Sequence, residues 1–348
     1  MSTYLSHSHG VFGDLVPEDD LMHPVSEASS HNESMFFNFF DTPKRTGGFV
    51  RIGNRPNEGH AEMTFCLFLP DGSMLFQWGR PAIEANDRFE AAGLCFEVVE
   101  PGEHLRIRFV GEAVHLADPL QMVDPGAAMR RNPRLLTDLS LDCRATSPLV
   151  GSASGDSSAA IFLQGVGHYQ QACTYRGRLS YADQRIEIDA LGVRDHSWGK
   201  RVWHDIHRDR SFWACADERL GFIACKTWSG EDPEPDIVGC VIEDGAVRRL
   251  KSVVLTSRYA DSSARHQAFD LELTEASGRC WALNGQALSY IPLRHRRPDR
   301  PVLHLGQAMS LFSLNGGPAF LGLSEYFDAQ SAVDAICGSA EALIGIRE

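Results

Sequence analysis

The chain has 348 residues, 43% of them hydrophobic, and a formal net charge of -13. That charge excludes nucleic acid as the main partner, since such binding needs a basic surface to displace counterions, and no apolar run approaches the ~18 residues of a membrane span. The nine cysteines are odd in number and never spaced C-x-x-C, and the start lacks a basic stretch followed by an apolar core. The expectation is therefore a cytoplasmic protein with reduced thiols and no signal peptide.

Residues 1–30 are rich in Ser, His, Asp and Glu, carry Pro17 and Pro24, and read as an irregular polar arm, including its His7-x-His9 pair. The body opens at 31–41, where five large apolar residues in the six positions 35–40 predict a strand buried on both faces. Asn38 interrupts that run. A buried amide needs partners, either backbone groups or a ligand in a cavity, and the neighbouring Phe37 is core or cavity lining. Strands follow at 47–53, 60–69 and 74–78. The last two flank Pro70-Asp71-Gly72-Ser73, a D-G turn between apolar runs that predicts a hairpin. Glu58, His60 and Glu62 alternate and are expected on one exposed face. Further strands are read at 94–99, 105–110, 138–145 and 160–163, with 112–135 as a long proline-bearing connection.

The second half repeats the style. Segments 170–181 and 184–191 pair across Ala182-Asp183. Strands at 212–216, 221–228, 237–243 and 246–250 follow, the last two forming another D-G hairpin, and then 252–259, 267–275, 280–293, 308–314 and 319–326. The basic run Arg294-His295-Arg296-Arg297 with Arg300 reads as a solvated loop. Only the tail has helical character, being rich in Ala and Glu with apolar i, i+4 spacing. Short strands with frequent turns and almost no helix predict an all-β fold of sandwiches or barrels. The division expected is an arm at 1–30, one β domain at 31–168, a second at 169–328 and a helical tail at 329–348, with the ligand cavity in a barrel mouth or at the seam.

Chemistry concentrates at Gly192-Val193-Arg194-Asp195-His196-Ser197-Trp198-Gly199-Lys200-Arg201, just after the alternating strand 185–191. A second polar group, residues 203–209, lies close behind. On a regular strand Asp195 and Ser197 share one face while His196 and Trp198 share the other, so they meet in one cavity only if the glycines break the alternation. Asp195 and His196 are either catalytic or a buried pair that holds the strand end. His204, Asp205 and His207 could join His196 around a metal, but a further ligand would have to come from elsewhere, so no metal is assigned. Glu325 and Tyr326 close an apolar strand. A buried Glu is expected to be paired, here with Arg194 or Arg201, or to act as a second acid or base. No dinucleotide fingerprint, P-loop, nucleophile elbow or H-E-x-x-H is present.

The run Gly192-x-Arg194-Asp195-His196-Ser197-Trp198-Gly199 resembles the D-H-x-W-G signature of the two-domain lipocalin-like (calycin) proteins. That family includes carotenoid 1,2-hydratases (hydroxyneurosporene synthase), tocopherol cyclase-like proteins and related pericyclases. Gly322-Leu323-Ser324-Glu325-Tyr326 resembles the family's G-x-x-E-Y close, and His31-x-Glu33-Ser34-Met35-Phe36-Phe37-Asn38 fits one branch of it. The resemblance covers about residues 31–328. It implies two lipocalin-like antiparallel β-barrels packed together and, for enzymatic members, a reaction without cofactor on an isoprenoid or polyketide-like substrate.

Adding water to an alkene, or removing it from an alcohol, needs a protonated acid and a means to tolerate positive charge; a buried carboxyl supplies the first and aromatic faces the second. The expectation is a lyase, hydratase or dehydratase, acting by general acid catalysis on a small, isoprenoid-like apolar substrate with no cofactor. Asp195, His196 and Glu325 are the catalytic candidates. Trp198, Asn38, Phe37, Arg194, Tyr326 and Trp213 are the candidates for substrate binding. The alternatives are an isomerase or cyclase on a terpenoid or polyketide-like substrate, and a non-catalytic carrier of a hydrophobic ligand.

Overall fold

The computed structural model describes residues 15–153, 167–229, 234–260, 263–339, 341–342 and 345–348. The His7 and His9 pair and the strand expected at 160–163 lie outside them. The first sheet holds β1 (His31–Asp41), β2 (Thr46–Arg55), β3 (His60–Phe68), β4 (Met74–Gly79), β5 (Phe89–Ala91), β6 (Leu94–Glu100), β7 (His104–Leu116), β8 (Arg134–Ala145), β9 (Val150–Ser152), β10 (Gly167–Tyr181) and β11 (Gln184–Lys200). Eight of these run in the order β4-β3-β2-β1-β11-β10-β8-β7, and pairing of β4 with β7 closes them into a barrel. The second sheet holds β12 (Ile206–Cys215), β13 (Leu220–Ser229), β14 (Asp236–Glu243), β15 (Ala246–Ala260), β16 (Arg265–Glu275), β17 (Cys280–Arg297), β18 (Arg300–Leu314), β19 (Ala319–Ala329) and the short β20 (Ile346–Arg347). It closes through β14 and β15 into a second eight-stranded antiparallel barrel. The all-β, two-barrel expectation is the architecture observed.

Side-chain alternation sorts the residues into three cores. Met35, Phe37 and Phe39 on β1 fill the first barrel, while Phe36 and Phe40 point outward. The outward set meets Trp213, Ile223, Met309 and Leu323 from the outer face of the second barrel, so the two barrels share an apolar seam. Phe212, Phe269 and Phe312 fill the second barrel. Every residue of β1 is therefore buried, whereas β8, with solvent outside it, alternates buried and exposed.

Three sequence expectations shift. Strands β10 and β11 belong to the first sheet, and the chain crosses to the second at 201–205. The expected seam at 168/169 falls ahead of them, because the β10–β11 hairpin resembles those of the second half in pattern and only long-range pairing with β1 and β8 assigns it. The connection at 112–135 carries a 3₁₀ turn and a short helix, α1 (Pro125–Arg131), whose Ala127 N–H is capped by the Asp124 carboxylate. In the tail the helix is only α2 (Gln330–Gly338), and β20 then pairs with β15. The two D-G hairpins form as expected. Asp244 and Gly245 both take positive φ, 54° and 76°, as a tight turn matched to strand twist requires.

Candidate functional site

A cavity of about 920 Å³ lies between the barrels. It is walled by outward residues of β1, β2, β3, β10 and β11 on one side and of β12, β13, β17, β18 and β19 on the other. Asp195, Glu325 and Trp213 line it, and the other six candidate residues do not. The reason is the unbroken alternation of β11, which pairs residue by residue with β10 from Gly167↔Trp198 to Tyr181↔Gln184. Asp195 faces the cavity, while Arg194, His196 and Trp198 face into the first barrel. The same rule separates Glu325 from Tyr326 on β19.

The inward residues are tied to the arm. Segment 15–30 crosses the first barrel, and its Asp20 takes two hydrogen bonds from the Arg194 guanidinium, 2.8 Å from Nη2 to Oδ2, and a third from the Tyr169 hydroxyl. Arg194 and Asp20 are both fully buried. Burial works against the Asp20 charge, but Arg194 beside it holds the carboxyl below the ordinary range. His23 stacks on Trp198 with ring centroids 3.7 Å apart, and its Nδ1 meets Glu33 at 2.8 Å. His196 Nε2 lies 3.2 Å from the same Glu33 oxygen, and Asn86 donates to the other oxygen. Burial opposes the Glu33 charge as well, yet the hydrogen bonds from His196 and His23 bring its pKa down to about 2. His23, Glu33 and His196 could in principle face one metal ion, since their ligand atoms lie within 4.8 Å of one another. Both Glu33 oxygens already accept hydrogen bonds from His23, His196 and Asn86, which accounts for the cluster without an ion. His204 does not join it: that ring packs against His295 on the cavity side, at 5.0 Å.

In the cavity the charges are differently placed. Burial, with Asp209 next, pushes the Glu325 carboxyl up to about 8, against a hydrogen bond from the Gln307 amide. Asp209, which accepts from Ser211 (2.7 Å) and Thr227 (2.5 Å), is raised by burial to about 6. Asp195 Oδ2 sits 3.9 Å from His168 Nε2, and burial lowers the basicity of that imidazole. Arg201 donates to Ser197 Oγ at 2.7 Å and lies over the Trp203 ring at 4.3 Å. Burial and the neighbouring Arg51 bring its pKa down to about 9. Among the described residues seven polar side-chain atoms of the cavity lining are buried without a hydrogen-bond partner: Arg55 Nε, Gln170 Nε2, Arg201 Nε, His204 Nε2, Trp213 Nε1, His295 Nδ1 and Gln307 Oε1.

Of the remaining candidates, Asn38 accepts from the Val193 N–H at 3.2 Å and sits in the seam, which is the backbone-bonded alternative, and Phe37 is first-barrel core. Tyr326 is second-barrel core, its hydroxyl 2.8 Å from Ser257 Oγ and its ring stacked on His266 at 4.0 Å. Glu325 does not pair with Arg194, whose partner is Asp20. Sequence reasoning passed over His168, Gln170, Asp209 and Gln307 as site residues. Only Asp209 carried a signal, as part of the polar group 203–209. It also placed Glu58 and Glu62 on an exposed face and 294–297 in a solvated loop; Glu58, Arg296 and Arg297 are indeed exposed, although they line the cavity, whereas 294–297 is the end of β17 and Glu62 is half-buried in the cavity, where it meets Arg51 (3.5 Å) and Arg55 (3.6 Å).

Residues 16–330 match the family described as "Domain of unknown function (DUF7064)". No curated protein matches the chain. Among solved structures, a protein assigned as AttH from Nitrosomonas europaea is similar at a TM-score of 0.60 and 16% identity, covering 90% of this chain and 98% of that one. CghA in complex with Sch210972 is similar at 0.55 and 12%, covering 86% and 88%. Kievitone hydratase from Nectria haematococca is similar at 0.51 and 10%, covering 92% and 94%. These likenesses show the shared two-barrel, lipocalin-like fold. Among the described residues no helix is long and apolar enough to cross a membrane.

Proposed function

The chain belongs to the DUF7064 family, and we propose that it is a cofactor-independent lyase of the hydratase type, working by proton transfer in the cavity between the barrels. The observation that carries this reading is Glu325, a carboxyl buried on the cavity wall with its pKa raised to about 8. Such a group is neutral at pH 7 and can donate a proton, which an ordinary carboxylate cannot. Asp195 with His168 supplies the opposite function. A carboxylate beside an imidazole kept neutral by burial can accept a proton from water. In hydration, Glu325 gives its proton to one alkene carbon, water adds to the other, and the water's second proton goes to Asp195 and His168; dehydration is the reverse. The aromatic faces of Trp213, Phe36 and Phe49 shield positive charge on the substrate and hold its apolar part. Kievitone hydratase, similar in fold, is by name a hydratase, which supports this class over a carrier.

The test begins with native mass spectrometry of protein purified from its host, to identify a co-purifying small molecule. That molecule is then incubated in heavy water with wild type and with Glu325→Gln. Deuterium incorporation by the wild type alone is expected. Equal incorporation by the variant would remove Glu325 from the mechanism, and a ligand returned unchanged by both proteins would favour a carrier.

A further inference from the structure

The cavity wall carries seven arginines against six carboxyl groups, and Glu325 among the six is neutral at pH 7. The wall is therefore net positive inside a chain whose overall charge is -13. Arg51 and Arg55 are occupied by Glu62. Arg201 is not: among the described residues no carboxylate lies within ion-pair distance of it, and its one hydrogen-bond acceptor is the neutral Ser197 hydroxyl. Asp195 and Glu325 act on it only at longer range, and a largely buried cation without a contacting counter-ion is unfavourable in an empty site. In the lining of the same cavity, Arg201 Nε, Trp213 Nε1 and Gln170 Nε2 are among the buried donors without acceptors, and Trp213 and Gln170 are only 5% and 3% exposed. Buried donors in folded proteins are almost always satisfied, so three that face one cavity, Gln170 from the first barrel and Trp213 from the second, call for an acceptor that the chain does not supply.

Resting on the reading of the cavity as the reaction site, we propose that the substrate is an amphipathic carboxylate whose anionic head takes its hydrogen bonds from Arg201, Trp213 and Gln170. The donor chemistry fits: a guanidinium fork matches the two oxygens of a carboxylate, and indole and amide N–H groups can complete its shell. The apolar body lies along Phe36, Phe49, Phe76, Met122 and Met129. A bare hydrocarbon would leave the donors and the Arg201 charge unmet. The head also sets the register of the chain, fixing which carbon meets Glu325.

The probe pair is cis-parinaric acid and its methyl ester, which share the fluorescent polyene and differ in the head-group charge. Expected is binding of the acid at least tenfold tighter than the ester at pH 7, with that preference reduced to under threefold in Arg201→Met. Trp213→Phe keeps the ring but loses the N–H, and should weaken the acid severalfold while leaving the ester unchanged; it serves should Arg201→Met fail to fold. Equal affinity for acid and ester, binding of neither, or a preference untouched by both substitutions overturns the carboxylate assignment. None of these results touches proton transfer by Glu325, which isotope incorporation reads separately.

Discussion

The interior of the first barrel and the cavity between the barrels are built from adjacent residues of one strand, yet they treat charge in opposite ways. Inside the barrel Arg194 is clasped by Asp20, and Glu33 collects donors from His23, His196 and Asn86. Its acids are driven toward the ionised form. In the cavity Glu62 is paired with Arg51 and Arg55, but Glu325 and Arg201 are under-paired and driven toward neutrality, Glu325 up to about 8 and Arg201 down to about 9. The second barrel repeats the first device: fully buried Arg210 is held by Asp328 at 2.8 Å and by Glu348, at 2.7 Å, from the last described segment. Complete pairing fixes a barrel end, whereas incomplete pairing leaves groups ready to act on a ligand.

The sharpest way to break this contrast is substitution on either side of it. Glu325→Gln should lower turnover by about 10²–10⁴-fold, the usual contribution of a general acid, with thermal unfolding little changed near pH 4.5, below the pH range in which the Glu325 proton is linked to stability; His196→Gln, one strand position from Asp195, should spare the chemical step and act through stability. Arg194→Met strands Asp20 as a buried charge and should cost about 3–5 kcal/mol in chemical denaturation, with Arg210→Met alike. Similar unfolding midpoints for Arg194→Met and wild type would show that the arm is dispensable.

Acid and alkali should then separate the regions. Glu33 has a folded pKa of about 2 against an ordinary 4.5, so its contribution, about 3 kcal/mol, is complete above pH 4.5 and is lost as pH falls toward 2. Glu325 has a folded pKa of about 8 against 4.5, so the stability linked to its proton is complete below pH 4.5 and is lost as pH rises toward 8. Glu325→Gln should remove the alkaline loss and leave the acid one; unfolding midpoints between pH 3 and 9 read both. The smallest effect expected is at Gly167, where an added Cβ would sit 2.1 Å from the Trp198 ring. Gly167→Ala should cost about 1–3 kcal/mol by overpacking and leave the cavity intact, which a denaturation curve and probe binding together would show.

Much of the fold could be read from the sequence because it depends on local pattern. Period-2 alternation and D-G turns located most strands, and the segments at 31–38 and 192–199 prove to be paired neighbours, with Phe36 opposite Asp195 and Met35 opposite His196. Alternation also foretold that Asp195 and His196 would part company. What it could not tell was which face met the second barrel. That depends on how two closed sheets pack, and it decides that Asp195 lines a cavity while Trp198 is filled against by the arm. Glu325 stood out as an acid in an apolar strand. Gln170, Gln307 and His168 are ordinary polar residues of long strands, and only the packing of one barrel against the other gives them a role.

The most direct measurement is the protonation state of Glu325 in the folded protein, followed by infrared difference spectroscopy between pH 5 and 10, with Glu325→Gln as the reference. The account predicts a protonated carboxyl band at neutral pH that vanishes as pH rises through about 8 and is absent from the variant. A Glu325 already ionised at pH 6 would contradict it, because the cavity would then hold no neutral acid to donate the proton.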